Sequence, residues 1–70
     1  MASTLTKKQT EEARQHVLLH LETHDSITNR ELRAISNLSY DQCITFFNKM
    51  VLRNKLKRVG SGSATKYIRP

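Results

Sequence analysis

The sequence has 70 residues, so it makes one domain at most. A chain this short buries only about 60% of the surface that it exposes when unfolded. It has no apolar run long enough for a transmembrane helix or a signal-peptide core, and we expect no membrane contact. Its single cysteine, Cys43, excludes an intramolecular disulfide and a zinc site made of cysteines alone. We therefore expect a cytoplasmic protein, or a domain of a larger one.

The formal net charge of +6 is concentrated at one end of the chain. The segment Lys49 to Pro70 carries seven Lys or Arg residues and no Asp or Glu, whereas Met1 to Asn48 carries five basic and six acidic residues. A basic end of this kind is a suitable surface for a polyanion. The charge alone leaves open the alternative of a solvated, solubilising surface.

The sequence marks the starts of three helices. A Ser or Thr followed three residues later by Glu or Gln can form a capping box, in which each residue's side chain accepts a hydrogen bond from the other's backbone amide. The predicted capping pairs are Thr6 with Gln9, Thr28 with Glu31, and Ser39 with Gln42.

We expect residues 1–6 to be disordered and residues 7–70 to form the folded domain.

The first helix is predicted from about Lys7 to Thr23. Leu19 lies on its far side, where it is either a lone exposed leucine or a contact for a homodimer or another domain. After this helix, Ile27 can form a very short strand. The predicted apolar stripe of the helix, at spacings of three and four, is Ala13, Val17, Leu18 and Leu21.

Three histidines, His16, His20 and His24, recur every four residues on the first helix. Two histidines at that spacing can share a metal ion, but no carboxylate or thiol clearly completes a site. The chain also has no evident nucleophile–base pair and no phosphate-binding glycine loop leading into a helix. The sequence therefore predicts a protein that is not an enzyme and holds no metal or cofactor.

The second helix is predicted from Asn29 to Ile35 and the third from Tyr40 to about Arg53. In the turn between them, Asn37 can adopt the left-handed backbone conformation, and Leu38 can fill the corner. The predicted apolar residues are Leu32 and Ile35 on the second helix, and Cys43, Phe46, Phe47 and Met50 on the third, with Val51 at the margin.

A β-hairpin is predicted after the third helix, with strands at Lys55–Val59 and Ala64–Ile68 and a tip at Gly60–Ser63. We expect Leu56 and Tyr67 to point inward. The fold class is therefore mainly α with a small β-hairpin, in the order helix, short strand, helix, turn, helix, hairpin.

The stretch from Ser26 to Tyr67 resembles bacterial and archaeal winged-helix DNA-binding domains. It is most similar to the C-terminal winged helix of helicase-like transcriptional regulators, those with an AlbA-type, divergent ATPase-like front part. The resemblance implies a winged helix that binds double-stranded DNA, as a small transcriptional regulator or as the DNA-contacting accessory domain of a larger helicase-like protein. The matching segments are Ser26-Ile27-Thr28-Asn29-Arg30-Glu31-Leu32, Leu38-Ser39, Leu56-Lys57-Arg58-Val59-Gly60-Ser61-Gly62 and Thr65-Lys66-Tyr67.

In such domains the third helix enters the major groove, and the hairpin, called the wing, contacts the backbone or the minor groove. Asn48 could then read adenine through two hydrogen bonds, whereas Lys and Arg neutralise phosphates without reading sequence. The DNA-binding residues that the resemblance implies are Thr28, Asn29 and Arg30 at the start of the second helix, Tyr40, Asp41, Ile44, Thr45, Asn48 and Lys49 on the third, and Arg58, Ser61, Ser63, Thr65 and Lys66 in the wing.

The third helix is less cationic than this family's pattern, because Ile44 and Thr45 stand where basic residues are often found. Asp41 also points a negative charge towards the groove. Affinity is therefore expected to depend mainly on the wing. The alternative is a winged helix for protein–protein interaction within a larger assembly, with Ile44, Leu52 or Leu19 in the contact. Single-stranded nucleic acid is less favoured, because Tyr40 is the only aromatic residue expected near the groove.

Overall fold

The computed structural model describes residues 5–70, except for the side chain of Ser63. The fold is mainly helical, with a two-stranded antiparallel hairpin at the C-terminal end. The predicted bounds of the first two helices are confirmed, the third helix ends one residue earlier than predicted, and both strands are shorter. The elements are α1 (Lys7–Thr23), α2 (Asn29–Ile35), α3 (Tyr40–Leu52), β1 (Lys57–Val59), one turn of 3₁₀ helix (Gly62–Ala64) and β2 (Lys66–Ile68).

All three predicted capping boxes form. In the first, the Gln9 amide donates to Thr6 Oγ1 and the Thr6 amide donates to Gln9 Oε1, both at 3.0 Å. Leu5 packs against the core. Leu5 and Thr6 are therefore part of the folded domain, not of a disordered N-terminus, while residues 1–4 lie outside the described chain.

One hydrophobic core joins the helices to the hairpin. The prediction was wrong for Leu18 and Ile35, which are 45% and 39% exposed. Successive helical residues are about 100° apart around the axis, so Leu18 turns away from the core that Val17 faces. Ile35 is the last residue of α2, whose buried residue is Leu32. The buried residues are Ala13, Val17, Leu21, Ile27, Leu32, Cys43, Phe46, Phe47, Met50, Leu56 and Tyr67.

The hairpin is attached to the helices through Tyr67. Its ring stacks on Phe47, with the ring centroids 3.9 Å apart and the planes within 6°. Its backbone amide donates to Ile27 O at 2.8 Å, and the Ile27 amide donates to Tyr67 O at 2.9 Å. The short strand expected at Ile27 is therefore a one-residue bridge to β2.

Asn54 turns the chain from α3 into the hairpin. It is the only non-glycine residue with a positive φ (60°) in the described chain. The Asn54 amide donates to Val51 O at 3.0 Å and the Lys55 amide to Met50 O at 2.8 Å, which is the Schellman pattern of a helix C-terminus.

The left-handed conformation expected at Asn37 does not occur. The turn after α2 is closed by Ser36 instead. Its hydroxyl donates to Leu32 O at 2.7 Å and accepts from the Leu38 amide at 3.3 Å. These two bonds organise the turn while Ser36 keeps an extended backbone. Leu38 is partly buried against the core, as predicted.

The C-terminal end of α1 is joined to the end of the chain. Arg69 Nη2 donates to Leu21 O at 3.2 Å. A cation near the last carbonyls of a helix is favourable, because the helix dipole is negative there. Arg69 therefore ties the segment after β2 to α1.

Candidate nucleic-acid interface

The six α3 residues predicted to face DNA lie outside the buried side of that helix. Tyr40, Asp41 and Asn48 are exposed, and Tyr40 keeps 55% of its surface accessible. Ile44, Thr45 and Lys49 are partly buried. The α3 surface thus offers one amide, two hydroxyls, one ammonium and one carboxylate to a ligand.

The hairpin brings Arg58 to this surface. Arg58 and Asn48 line the same depression of about 230 Å³, together with Val51 and Leu52. A residue from α3 that can bond a base edge therefore lies beside a guanidinium from β1.

The predicted wing residues do not all lie on one face. Arg58 is paired with Tyr67 across the hairpin, whereas Lys66 is paired with Val59. Successive side chains on a strand point to opposite faces. Residues paired directly across the hairpin share a face, so Arg58 lies on the same face as Tyr67, whose ring stacks on Phe47 of α3. Lys66 is on the reverse face.

Glycine shapes the hairpin tip. A Cβ atom placed on Gly60 would lie 2.4 Å from Ala64 O, and its φ is +81°. The Thr65 hydroxyl donates to Gly62 O at 2.9 Å, so its hydrogen is used within the tip. Ser61 is exposed, while the side chain of Ser63 lies outside the described structure.

The predicted phosphate contact at the start of α2 is occupied by the protein itself. The Thr28 amide donates to Glu31 Oε1 at 2.9 Å, and the Glu31 amide donates to Thr28 Oγ1 at 3.1 Å. The Glu31 carboxylate thus lies where the resemblance places a phosphate. Asn29 accepts from Arg33 Nε at 2.8 Å and donates to Tyr40 O at 3.4 Å. Of the three predicted residues, Arg30 is the exposed one.

Arg33 belongs to this surface and was not predicted from the sequence. Its guanidinium carbon lies 5.4 Å from the centroid of the Tyr40 ring. Its position one helical turn after Asn29 is a signal that the sequence does carry. Its contact with Tyr40 depends on how α2 packs against α3, which the sequence pattern does not specify.

Cys43, on the buried side of α3, is not a reactive group in this structure. Burial raises the pKa of its thiol, and the nearby Arg33 charge acts more weakly in the opposite direction. The thiol is therefore protonated at neutral pH, whereas the thiolate is the nucleophilic form.

The histidines of α1 contact one another and α2. The rings of His20 and His24 stack with centroids 4.1 Å apart. His20 Nε2 is buried, makes no hydrogen bond and lies 3.7 Å from Glu31 Oε1. Within residues 5–70, no group of three or more His, Cys, Asp or Glu side chains is arranged to hold a metal ion.

Comparisons with models of protein families, with curated proteins and with solved structures found no match. None of the described helices combines the length and the apolar character needed to cross a membrane. The function of the chain is therefore argued from the chemistry of its surface.

Proposed function

We propose that this chain is a winged helix that binds double-stranded DNA, with α3 in the major groove and the hairpin on the phosphate backbone. The short α2, the turn closed by Ser36 and the longer α3 supply the helix-turn-helix. The hairpin would be the wing, and Ile27, which forms a one-residue bridge to β2, would stand in the position of the third strand. This order of elements supports the proposal.

The shared depression of Asn48 and Arg58 is the observation that carries the proposal. An Asn amide can bond the edge of adenine, and an Arg guanidinium can bond a phosphate in a bidentate manner. Duplex DNA presents base edges and phosphates side by side, since base edges in the major groove are flanked by the backbone. One ligand would satisfy both side chains.

Backbone contacts would supply most of the affinity. Lys49 is the only Lys or Arg within α3. Asp41, in the first turn of α3, would repel a phosphate. A protein with few base contacts and several cations discriminates weakly among sequences. The role that fits is a small transcriptional regulator in the cytoplasm, or the DNA-contacting domain of a larger helicase-like protein.

Charge reversal in the wing tests the proposal. The double variant Arg58→Glu/Lys66→Glu should abolish binding to a mixed-sequence duplex, measured by fluorescence anisotropy at low salt, because carboxylates that repel DNA replace the proposed phosphate contact of Arg58 and a second cation of the hairpin. Circular dichroism should show the wild-type helix content. Of the single variants, Arg58→Gln should lose more affinity than Lys66→Gln, because Arg58 lies beside α3.

Leu19→Glu is the matched control for Arg58→Gln, because both lower the net charge by one unit. Leu19 is 63% exposed on α1 and belongs to no predicted DNA contact. Its variant should bind the duplex almost as well as the wild type. If Arg58→Glu/Lys66→Glu binds as tightly as the wild type, the hairpin does not hold DNA and the proposal is wrong.

A protein-interaction function is the second candidate. Leu52, at the end of α3, is 83% exposed and lines the same depression as Asn48 and Arg58. Leu19 is the corresponding residue on α1 for a homodimer or an interdomain contact. Amide NMR with a duplex at low salt separates the two functions. Shifts confined to α3 and the hairpin support DNA binding, whereas a spectrum unchanged by the duplex favours a protein partner.

A further inference from the structure

A second basic surface lies where the C-terminal end of α3 approaches the start of α1. It is a cleft of about 860 Å³, which we call the α1–α3 cleft. Leu5 and Met50 contribute apolar surface to it, and Glu11 is the one acidic residue in its lining. The cations that line it are Lys7, Lys8, Arg14, Lys49, Arg53 and Lys55.

Most of the positive charge in this cleft is not compensated by the protein. Glu11 is bound to Arg14, with 2.6 Å between Arg14 Nη2 and Glu11 Oε2. The hydrogen bond from Arg14 lowers the pKa of Glu11, so this carboxylate stays ionised and offsets the charge of its partner. In the part of the chain that the structure describes, no salt bridge involves the other five cations.

Folding assembles this cleft from both charge segments of the sequence. Lys7, Lys8 and Arg14 come from the segment Met1 to Asn48, whose formal charge is close to zero. The first turn of α1, which includes Lys7 and Lys8, contains no acidic residue, and its cap is the neutral pair Thr6 and Gln9. The positive end of the α1 dipole therefore adds to the potential of the lysines and arginines.

We propose that the α1–α3 cleft binds the phosphodiester backbone of the DNA, as a contact separate from that of the hairpin. This inference rests on the proposed DNA-binding function. Lys49 belongs both to the predicted groove-facing side of α3 and to the cleft, so a duplex lying on α3 continues into it. The cleft has cations on both walls, which suits it to hold the phosphates of a backbone that runs between them.

The test removes one cation from each wall. In Lys8→Gln/Arg53→Gln, affinity for a 20-bp duplex should fall at least tenfold at 0.1 M salt. The slope of log K against log salt should become shallower by about 1.8, which is about 0.9 for each lost phosphate contact. The fold should be retained, because the charge of Lys8 opposes the dipole of α1 and the side chain of Arg53 is exposed at the end of α3. Urea unfolding of the same variant checks this.

Two control variants separate position from charge. His16→Glu/Leu19→Glu lowers the formal net charge by the same two units, with His taken as neutral, on residues of α1 that do not line the cleft. It should keep most of the affinity and the wild-type slope. Lys8→Arg/Arg53→Lys keeps both charges in place and should bind like the wild type.

The outcomes distinguish this inference from the function on which it rests. A wild-type protein that binds no duplex overturns the proposed function. A wild-type protein that binds, with Lys8→Gln/Arg53→Gln unchanged in affinity and slope, overturns the cleft alone. NMR shifts in the cleft with sodium tripolyphosphate, but none there with the duplex, would mean that the site takes a small polyphosphate, which also contradicts the proposal.

Discussion

Gly60 and Gly62 both have a positive φ, 81° and 57°, but their surroundings differ. A Cβ on Gly60 would meet Ala64 O at 2.4 Å, whereas a Cβ on Gly62 would meet no atom within 4 Å. Backbone conformation and lack of space both exclude a side chain at Gly60. Only the backbone conformation disfavours one at Gly62.

We predict that Gly60→Ala destabilises the domain more than Gly62→Ala does. The left-handed conformation costs an alanine about 1–2 kcal/mol, which is the whole effect expected at Gly62. At Gly60 the clash adds about 1–3 kcal/mol, because backbone atoms must shift. Urea unfolding of the two variants provides the comparison, and equal losses would show that the tip relaxes freely around position 60.

At the scale of residues, the sequence did not predict which of Asn37 and Asn54 adopts the left-handed conformation. Both asparagines can adopt the left-handed conformation and both follow a predicted helix, so residue type does not distinguish them. The distinction comes from Ser36, whose hydroxyl closes the first turn while its backbone stays extended. The second turn is closed by backbone hydrogen bonds, in which Asn54 completes a Schellman motif.

At the scale of elements, the hairpin depends on one aromatic contact. Tyr67 is buried and stacks on Phe47. Tyr40, the other tyrosine, is exposed and contacts Arg33. The same substitution at Tyr67 and at Tyr40 therefore compares a buried tyrosine with an exposed one.

Tyr67→Ala should lower the free energy of unfolding by about 3–5 kcal/mol, because it removes a ring from the core and leaves a cavity. Tyr40→Ala should cost no more than about 1 kcal/mol, the usual size of an exposed cation–π contact. Chemical denaturation followed by circular dichroism gives both values. Similar costs for the two variants would mean that the hairpin is not held by its stacking on α3.

The helices were predictable because their signals are local. Each capping box involves residues only three positions apart, and the start of α2 follows from Thr28 and Glu31 alone. The strands were predicted too long. Pairing begins only at Lys57, because the Schellman turn around Asn54 uses Lys55 and Leu56 to bond Met50 O. Leu18 was misplaced because the orientation of α1 depends on its packing partners.

At the scale of the whole molecule, one small core connects every helix to the hairpin. The Cα radius of gyration is 11.0 Å, which leaves no room for two independent cores. Removing any element would expose residues that the other elements bury. The chain should therefore behave as a single cooperative unit.

We predict that helix content and tertiary packing are lost in one transition. Far-ultraviolet circular dichroism reports the helices, and near-ultraviolet tyrosine signals report the packing of Tyr67 on Phe47. Coincident urea midpoints for both signals are expected. A near-ultraviolet transition at lower urea would show that the hairpin detaches while the helices remain folded.

Charge along the chain was an incomplete guide to the surface that we propose for DNA. The count for Lys49 to Pro70 indicated a basic C-terminal segment, and Arg58 does line a depression with residues of α3. It could not show that Arg53 and Lys55 face Lys7 and Lys8, because that pairing depends on the packing of α1 against the end of α3. The phosphate contact assigned to the start of α2 has a different explanation. The predicted capping box of Thr28 and Glu31 already places a carboxylate on the Thr28 amide, and the resemblance was applied without taking it into account.

The position of Tyr67 near the C-terminal end has a consequence for synthesis. Domains on a growing chain fold from the N-terminal side as residues leave the ribosome at about 5–20 per second. Until Tyr67 has emerged, Phe47 has no stacking partner and the backbone of Ile27 has no bridge. The core therefore cannot close on the nascent chain before Tyr67 has emerged, so the helices alone do not complete the folded domain during synthesis.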